Sequence, residues 1–321
     1  MVTSGRGESR LTKFDLHAET LRFMLARLGG GAASAALADA APMAAPEERV
    51  RFFEMGSGRG WVLRPNWPPV APDAAAAVTY ALQRRTLRPV ADAAAAKDPH
   101  DDVGDAILPV AGGRDAFQVR LRAHPTGWSR WQAMLNVGRM VSYSLARLPL
   151  RYEGPRLPAG GLRLAGAPLV TLFLDSSDGR GDIFAYLLDI DAQGTAHYVT
   201  EGCFRCIHRA EAASDDGLGN RAGTGSRQAA PPLPRHSFRR GDAAPLPLGG
   251  GVGGGPARVR FPLLATSYAF GEGHRVALAL SGADVKHFTP DGSAAALEAR
   301  VMGVSYGPDA RSQLQLPVVA P

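Results

Sequence analysis

Both cysteines of this 321-residue chain lie in one short segment, at Cys203 and Cys206, with His197 and His208 close by. A Cys-x-x-Cys spacing is used by zinc sites and by redox dithiols. A structural zinc site normally needs two such ligand pairs, and the sequence contains no second Cys-x-x-Cys or His-x-x-x-His pair. Residues 196–209 also have the pattern of a β-strand, in which residues three apart point to opposite faces. We therefore predict ordinary strand cysteines here, rather than a metal or redox site.

The other patterns that could carry chemistry are incomplete. The Gly-x-Ser-x-Gly turn that exposes a nucleophilic serine is absent, and the glycine-rich stretch 248–256 lacks the Lys-Ser/Thr of a phosphate loop. The sequence thus predicts no catalytic, cofactor-binding or metal-binding residue. The remaining candidates are interpreted as loop or structural residues: the acidic cluster Asp98, Asp101, Asp102 and Asp105, the pair Trp128 and Trp131, and the isolated His100, His124, His236, His274 and His287.

Charge and hydropathy exclude several classes of partner. The net charge is +6 and the sequence pI is about 9.7, but arginines alternate with acidic residues along most of the chain. A nucleic-acid-binding protein would concentrate the positive charge in one stripe, so we expect no nucleic-acid partner. No stretch reaches the roughly 18 to 20 apolar residues of a membrane span, and no secretory signal is visible. These observations predict a cytoplasmic protein without a membrane partner.

The coarse pattern along the chain predicts one helix followed by many strands. Residues 15–28 have a helical apolar stripe with Asp15 as the N-cap, and residues 30–46 have a linker composition. Residues 71–160 are predicted to contain few regular elements. Strand patterns separated by Gly- and Asp-rich turns point to an antiparallel β-sandwich. They occupy residues 49–56, 166–177, 182–191, 196–209, 257–270, 274–284 and 298–307.

An ordered series of motifs resembles the C-terminal domain of X-prolyl dipeptidyl-peptidases and cocaine-esterase-type (CocE/NonD) serine hydrolases. The resemblance extends from about residue 15 to about residue 305. The residues that carry it are Met55, Gly56, Trp61, Trp67, Gly166, Pro168, Asp182, Phe184, Leu187 or Leu188, Asp189, Gly194, Gly202, Arg205, Arg209, Phe270, Gly273, His274 and Arg275. The helix at 15–28 resembles the helix that closes the catalytic domain of the family.

This resemblance implies a mainly β fold, a jelly-roll (galactose-binding-like) sandwich preceded by a short helical remnant of an α/β-hydrolase domain. It implies a division into residues 1–46, the helix and linker, and residues 47–321, the sandwich. In the family a Ser-His-Asp triad on an α/β-hydrolase domain hydrolyses peptides or esters, and that domain has no counterpart here. The expected partners are therefore a hydrolase domain or subunit and, as a second option, further copies of this chain.

We interpret the chain as an accessory domain that walls the substrate pocket of such a hydrolase and supports its assembly. No hydrolytic activity of the chain alone is expected, because the nucleophile and the acid are absent. Two alternatives remain open at this stage: a carbohydrate-binding jelly-roll module and a non-functional truncated remnant. The sequence does not specify a substrate.

Overall fold

The computed structural model describes the chain in nine segments, and the structural statements below concern these residues. They are 50–56, 60–64, 67–68, 77–90, 112–121, 148–212, 233–249, 254–285 and 287–319. The predicted helix at 15–28, the linker at 30–46, the acidic cluster at 98–105 and the tryptophan pair at 128 and 131 lie outside them.

The described part of the chain forms strands and a single short α-helix, α1. The strands are β1 (Val50–Gly56), β2 (Gly60–Arg64), β3 (Ala77–Gln83), β4 (Thr86–Pro89), β5 (Gly113–Gln118), β6 (Leu150–Arg156), β7 (Leu162–Gly166), β8 (Leu169–Ser176), β9 (Asp182–Ile190), β10 (Ala196–Arg205), β11 (Ala257–Pro262), β12 (Thr266–Phe270), β13 (Arg275–Ser281), β14 (Val301–Tyr306) and β15 (Gln313–Pro317). The helix α1 is Ala294–Ala299, and Ser293 caps it by accepting a hydrogen bond from the Ala296 amide.

The strands assemble into two sheets. A four-stranded sheet has the order β2-β1-β12-β7, and an eleven-stranded sheet has the order β10-β9-β13-β6-β4-β3-β15-β8-β14-β5, with β11 on the other edge of β8. Most pairs are antiparallel, but β1 pairs with β12 and β4 pairs with β6 in parallel. The sheets are therefore mixed, whereas the sequence pattern predicted an antiparallel arrangement.

One hydrophobic core joins the two sheets. Leu164, Tyr268 and Phe270 of the small sheet belong to the same buried cluster as Leu187 and Leu278 of the large sheet. These residues alternate with outward-facing ones along their strands, as the two-residue period of a strand requires. Burial of this continuous apolar layer is the main stabilising contribution to the domain.

The strands in the second half of the chain confirm the sequence prediction. In residues 71–160, by contrast, four strands lie where few regular elements were predicted. These strands are β3, β4, β5 and β6. The β3–β4 hairpin turns through Arg84 and Arg85, whose φ angles are 45° and 61°. Tight hairpins usually carry Asn-Gly or Asp-Gly at positions of positive φ, so a turn built from two arginines gives no turn signal in the sequence.

The last two strands form one line along a single edge of β8. β14 pairs with residues 173–176 of β8 and β15 with residues 169–171. Between them, the Ser312 hydroxyl accepts a hydrogen bond from the Phe173 amide at 2.9 Å and donates one to the Ser305 carbonyl at 2.7 Å. The hydroxyl thus replaces a backbone pairing that the intervening loop interrupts.

Candidate functional site

A carboxylate–imidazole–phenol cluster links the two sheets at the end of β9. Asp189 is buried and faces the shared core. The Tyr268 hydroxyl donates to Asp189 Oδ2 at 3.0 Å, and His274 Nδ1 lies 2.9 Å from Asp189 Oδ1. Burial raises the pKa of Asp189, although the hydrogen bonds from His274 and Tyr268 act in the opposite direction. His274 is therefore not isolated, as the sequence suggested, but holds the turn before β13 against β9.

A second carboxylate–imidazole pair closes the adjacent β9–β10 turn. Asp191 Oδ1 accepts hydrogen bonds from the amides of Gln193 and Thr195, and Asp191 Oδ2 lies 2.9 Å from His197 Nε2. The hydrogen bond from His197 lowers the pKa of Asp191. Gly194 completes the turn with a φ of 85°, a conformation that favours glycine. This pair fixes the hairpin that carries the Asp189 cluster.

A third pair lies on the opposite face of β9. His287 Nδ1 is 2.9 Å from both carboxylate oxygens of Asp284, and the Tyr186 hydroxyl donates to the same carboxylate at 2.9 Å. His287 Nε2 is buried, and within the described residues it has no hydrogen-bond partner. His287 was also predicted to be isolated, and its pairing with Asp284 corrects that expectation. The sequence signal for this pair is the short spacing of Asp284 and His287, which are three residues apart in one turn.

The two cysteines lie in different local structures. β10 ends at Arg205, and Cys206 begins a short 3-10 helix. Cys203 is exposed, Cys206 is buried, and they form no disulfide. Burial strongly raises the pKa of the Cys206 thiol, which keeps it protonated and unreactive. Within the described residues, no group of three or more His, Cys, Asp or Glu side chains is placed to hold a metal ion.

Three residues of the motif series, in β10 and just after it, make contacts with neighbouring segments. Arg205 donates two hydrogen bonds to the Asp182 carboxylate, at 2.9 and 3.2 Å, directly across the strand pair. At Gly202 a Cβ atom would lie only 2.8 Å from the Pro262 carbonyl oxygen, so glycine allows the β11–β12 connection to approach β10 closely. Arg209 donates to the Ala244 carbonyl and anchors the segment after the 3-10 helix.

The two tryptophans of the motif series have a different environment. Trp61 packs against Phe53, Trp67 packs against Phe52, and both indoles remain more than one third exposed. Trp61 lies on β2, the edge strand of the four-stranded sheet, and Trp67 packs on β1 of the same sheet. Exposed aromatic side chains at such an edge can take part in contacts with another protein surface.

The residues define a mainly β domain whose carboxylate–imidazole and carboxylate–guanidinium pairs connect its own strands. Residues 43–300 match the family profile of the X-Pro dipeptidyl-peptidase C-terminal non-catalytic domain. The chain therefore belongs to this family. The resemblance seen in the motif series is confirmed.

The curated relatives that the chain matches are much longer than the matched region. It is 33% identical over 287 residues to a protein of Mycobacterium tuberculosis (strain CDC 1551) described as a serine esterase, and the match covers 88% of this chain and 38% of that protein. A protein of Mycobacterium bovis with the same description matches to the same extent. The chain thus spans less than half the length of the curated relatives it matches.

Two solved structures share the fold. A CocE/NonD family hydrolase from Staphylococcus aureus matches with a TM-score of 0.56 and 12% identity, covering 98% of this chain and 48% of that one. An α-amino acid ester hydrolase matches with a TM-score of 0.54 and 17% identity, covering 99% and 46%. No helix within the described segments is both long and apolar enough to cross a bilayer.

Proposed function

We propose that this chain is the accessory, non-catalytic part of a serine hydrolase that acts on esters or peptides. The observation that carries the proposal is the family match over residues 43–300 in a chain that spans 38% of its esterase relative. The polar clusters of the described residues support it, because each carboxylate is committed to a partner within the domain. The chain would contribute a wall of the substrate pocket and contacts for assembly.

The same proposal includes the sheet arrangement and the division of the chain into two parts. A jelly-roll sandwich over residues 47–321, preceded by a helical end of a hydrolase domain in residues 1–46, accounts for two sheets around one core. The expected partners are an α/β-hydrolase domain or subunit and, as a second option, another copy of the chain. A cytoplasmic location remains a prediction from the sequence pattern.

The test is assembly with a hydrolase. The portion of the M. tuberculosis esterase outside the matched region is produced together with this chain, and the two are purified through a tag on the chain. We expect co-purification and hydrolysis of a p-nitrophenyl ester by the complex, stopped by a serine-directed inhibitor. The same hydrolase portion produced with its own matched region serves as the positive control for its folding.

Two results would contradict the proposal. If the positive control assembles and this chain does not, the accessory role for this class of hydrolase is wrong. If the chain alone turns over the ester and the serine-directed inhibitor stops it, the chain carries its own nucleophile and is not an accessory part. Binding of the chain to a glycan array, without assembly, would favour the carbohydrate-binding alternative.

A further inference from the structure

The β1–β2 hairpin is the part of the four-stranded sheet that the core leaves partly uncovered. β12 of this sheet is buried along its whole length, whereas Glu54 is the only buried residue of β1 and β2. The two strands are nevertheless rich in apolar residues, and the adjacent Phe52 and Phe53 point to opposite faces. A hairpin with one solvated face normally alternates apolar and polar residues. The sequence of this hairpin therefore fits strands that are covered on both faces.

One face of the hairpin is covered by the chain itself. The ring of Trp67 lies 4.8 Å from that of Phe52. Arg163 of β7 donates a hydrogen bond to the carboxylate of Glu54 at 2.9 Å. Phe52 and Glu54 are two residues apart on β1 and so share this face. Both its aromatic and its charged side chain thus have partners within the domain.

The opposite face carries Phe53, Trp61 and Leu63, which we name the Trp61 face. Phe53 and Trp61 are opposite each other across the strand pair, with ring centroids 5.5 Å apart. Trp61 is 42% exposed, and Phe53 and Leu63 are half-buried. Met55, on the same side of β1 as Phe53, packs against the core shared by the two sheets. The Trp61 face therefore continues the apolar layer of the core out to the surface.

The strand that carries Trp61 is also an open edge. β2 ends the order of the four-stranded sheet, and no strand in the described part of the chain pairs with its outer side. At the other end of this sheet, β7 is bordered by the last described residues, since Leu164 bridges to Val318 and the Val319 amide donates to the Arg163 carbonyl. Native proteins usually cover an edge strand or place charges on it. An edge that bears an exposed tryptophan instead indicates a contact with another protein surface.

The hairpin lies where the two proposed parts of the protein join. Val50, the first residue of β1, is paired with Arg64, the last residue of β2. Residues 1–46, proposed above as the end of a hydrolase domain, are separated from β1 only by residues 47–49. A part that is joined at this point stays close to the Trp61 face, and a short connection raises the local concentration of the two surfaces that it joins.

We propose that the Trp61 face, together with the outer edge of β2, is the contact through which the chain docks on the α/β-hydrolase part. This inference rests on the proposed function and deepens it by naming the contact residues. Tryptophan is enriched among the residues that contribute most to binding at protein interfaces. The packing of Trp61 on Phe53 holds the indole in place before docking, so less side-chain freedom is lost on binding.

Phe238 provides a matched comparison. It is 63% exposed, more than any other large apolar residue described, so exposure alone would select it as the contact. It lies in the connection between β10 and β11 and is followed by the exposed Arg239 and Arg240. Phe238 therefore belongs neither to an open sheet edge nor to the hairpin at which the two proposed parts join.

The experiment uses the complex of this chain with the hydrolase portion of the M. tuberculosis relative. The dissociation constant is measured for the unaltered chain and for Trp61→Thr, Leu63→Lys and Phe238→Ser. Threonine keeps the preference for a strand, and lysine places a charge in the proposed contact. We expect Trp61→Thr and Leu63→Lys to weaken binding by roughly tenfold or more, the scale of an interface anchor, and Phe238→Ser to leave it unchanged.

Hydroxyl-radical footprinting of the unaltered chain tests the same contact without a substitution. Oxidation of Trp61 should slow severalfold when the hydrolase portion binds, whereas oxidation of Phe238 should not change. Thermal unfolding of each variant alone separates loss of contact from loss of fold, and the footprint decides if a variant does not fold.

Three results would overturn this inference and leave the accessory role intact. They are unchanged oxidation of Trp61 in the complex, a loss of binding confined to Phe238→Ser, and a chain that is a dimer alone and becomes a monomer through Trp61→Thr. The last result would assign the face to a second copy. Failure of the unaltered chain to bind, with the positive control assembled, would instead overturn the proposed function.

Discussion

Replacement of Gly56 by alanine should destabilise the domain far more than the same change at Gly60. Both glycines have positive φ angles, 79° and 82°, and they flank the same β1–β2 connection. At Gly56 a Cβ atom would overlap the Ala269 carbonyl oxygen and lie 2.9 Å from ring carbons of Tyr268. At Gly60 the nearest atom is a ring carbon of Phe53 at 3.8 Å, an ordinary contact.

The magnitudes follow from these two environments. The left-handed conformation costs an alanine about 1–2 kcal/mol, and the lower entropy of the unfolded chain returns about 0.4–1 kcal/mol. Gly60→Ala should therefore cost roughly 1 kcal/mol or less. Gly56→Ala carries the same terms and an overpacking cost of about 1–3 kcal/mol. We expect the upper end, because the obstructing atom is a backbone carbonyl in the β1–β12 pair and cannot rotate away.

The free energy of unfolding is measured by urea denaturation, followed by tryptophan fluorescence and far-UV circular dichroism. Gly56→Ala is expected to lose about 2–3 kcal/mol more than Gly60→Ala. If the two variants lose the same free energy within about 0.5 kcal/mol, the close approach of β1 to β12 does not determine the effect. The steric reasoning would then be refuted, while the argument from positive φ would remain.

Three further measurements test other parts of the structure. Ser312→Ala should cost about 1–2 kcal/mol in urea denaturation, because it removes the hydrogen bonds of two partly buried backbone groups, one in β8 and one in β14; an unchanged midpoint would contradict this. In native protein, iodoacetamide should modify Cys203 and spare Cys206, so two adducts by mass spectrometry would contradict the burial of the second thiol. Partial burial acts to raise the pKa of Asp178, but the hydrogen bond and charge of Arg300 outweigh it and leave this pKa below its ordinary value. The ionised carboxylate therefore favours folding above about pH 4, and this contribution is lost as the pH falls further. Asp178→Asn should flatten the acid side of the stability profile between about pH 5 and pH 2, and an identical slope in both proteins would count against the pair.

The polar clusters could not be derived from sequence spacing. Asp189 and His274 are 85 residues apart and meet only because β9 and β13 are neighbours in the large sheet. Strand patterns predict that both residues lie near strand ends, but neither the sheet order nor the register follows from periodicity. Both residues belong to the motif series, but the motifs do not indicate that the two side chains are in contact. The sequence thus showed which side chains could form polar contacts, but not which of them pair with one another.

The hairpin at Arg84 and Arg85 shows a different limit. Sequence interpretation depends on residues that favour special backbone angles, and arginine carries no such preference. The turn forms because β3 is held by β15 and β4 lies beside β6, so neighbouring strands impose the backbone conformation. Tertiary context overrides local propensity at this position.

The sequence by itself determined the class of fold, the family and most strands of the second half, because apolar alternation and turn residues are local properties. It also predicted strand cysteines at Cys203 and Cys206, and in the structure one is exposed and the other buried. Only the tertiary structure decided which strands are neighbours, which carboxylates meet which imidazoles, and that β9 is covered on both faces. These outcomes depend on contacts between residues distant in the chain, and no local pattern encodes them.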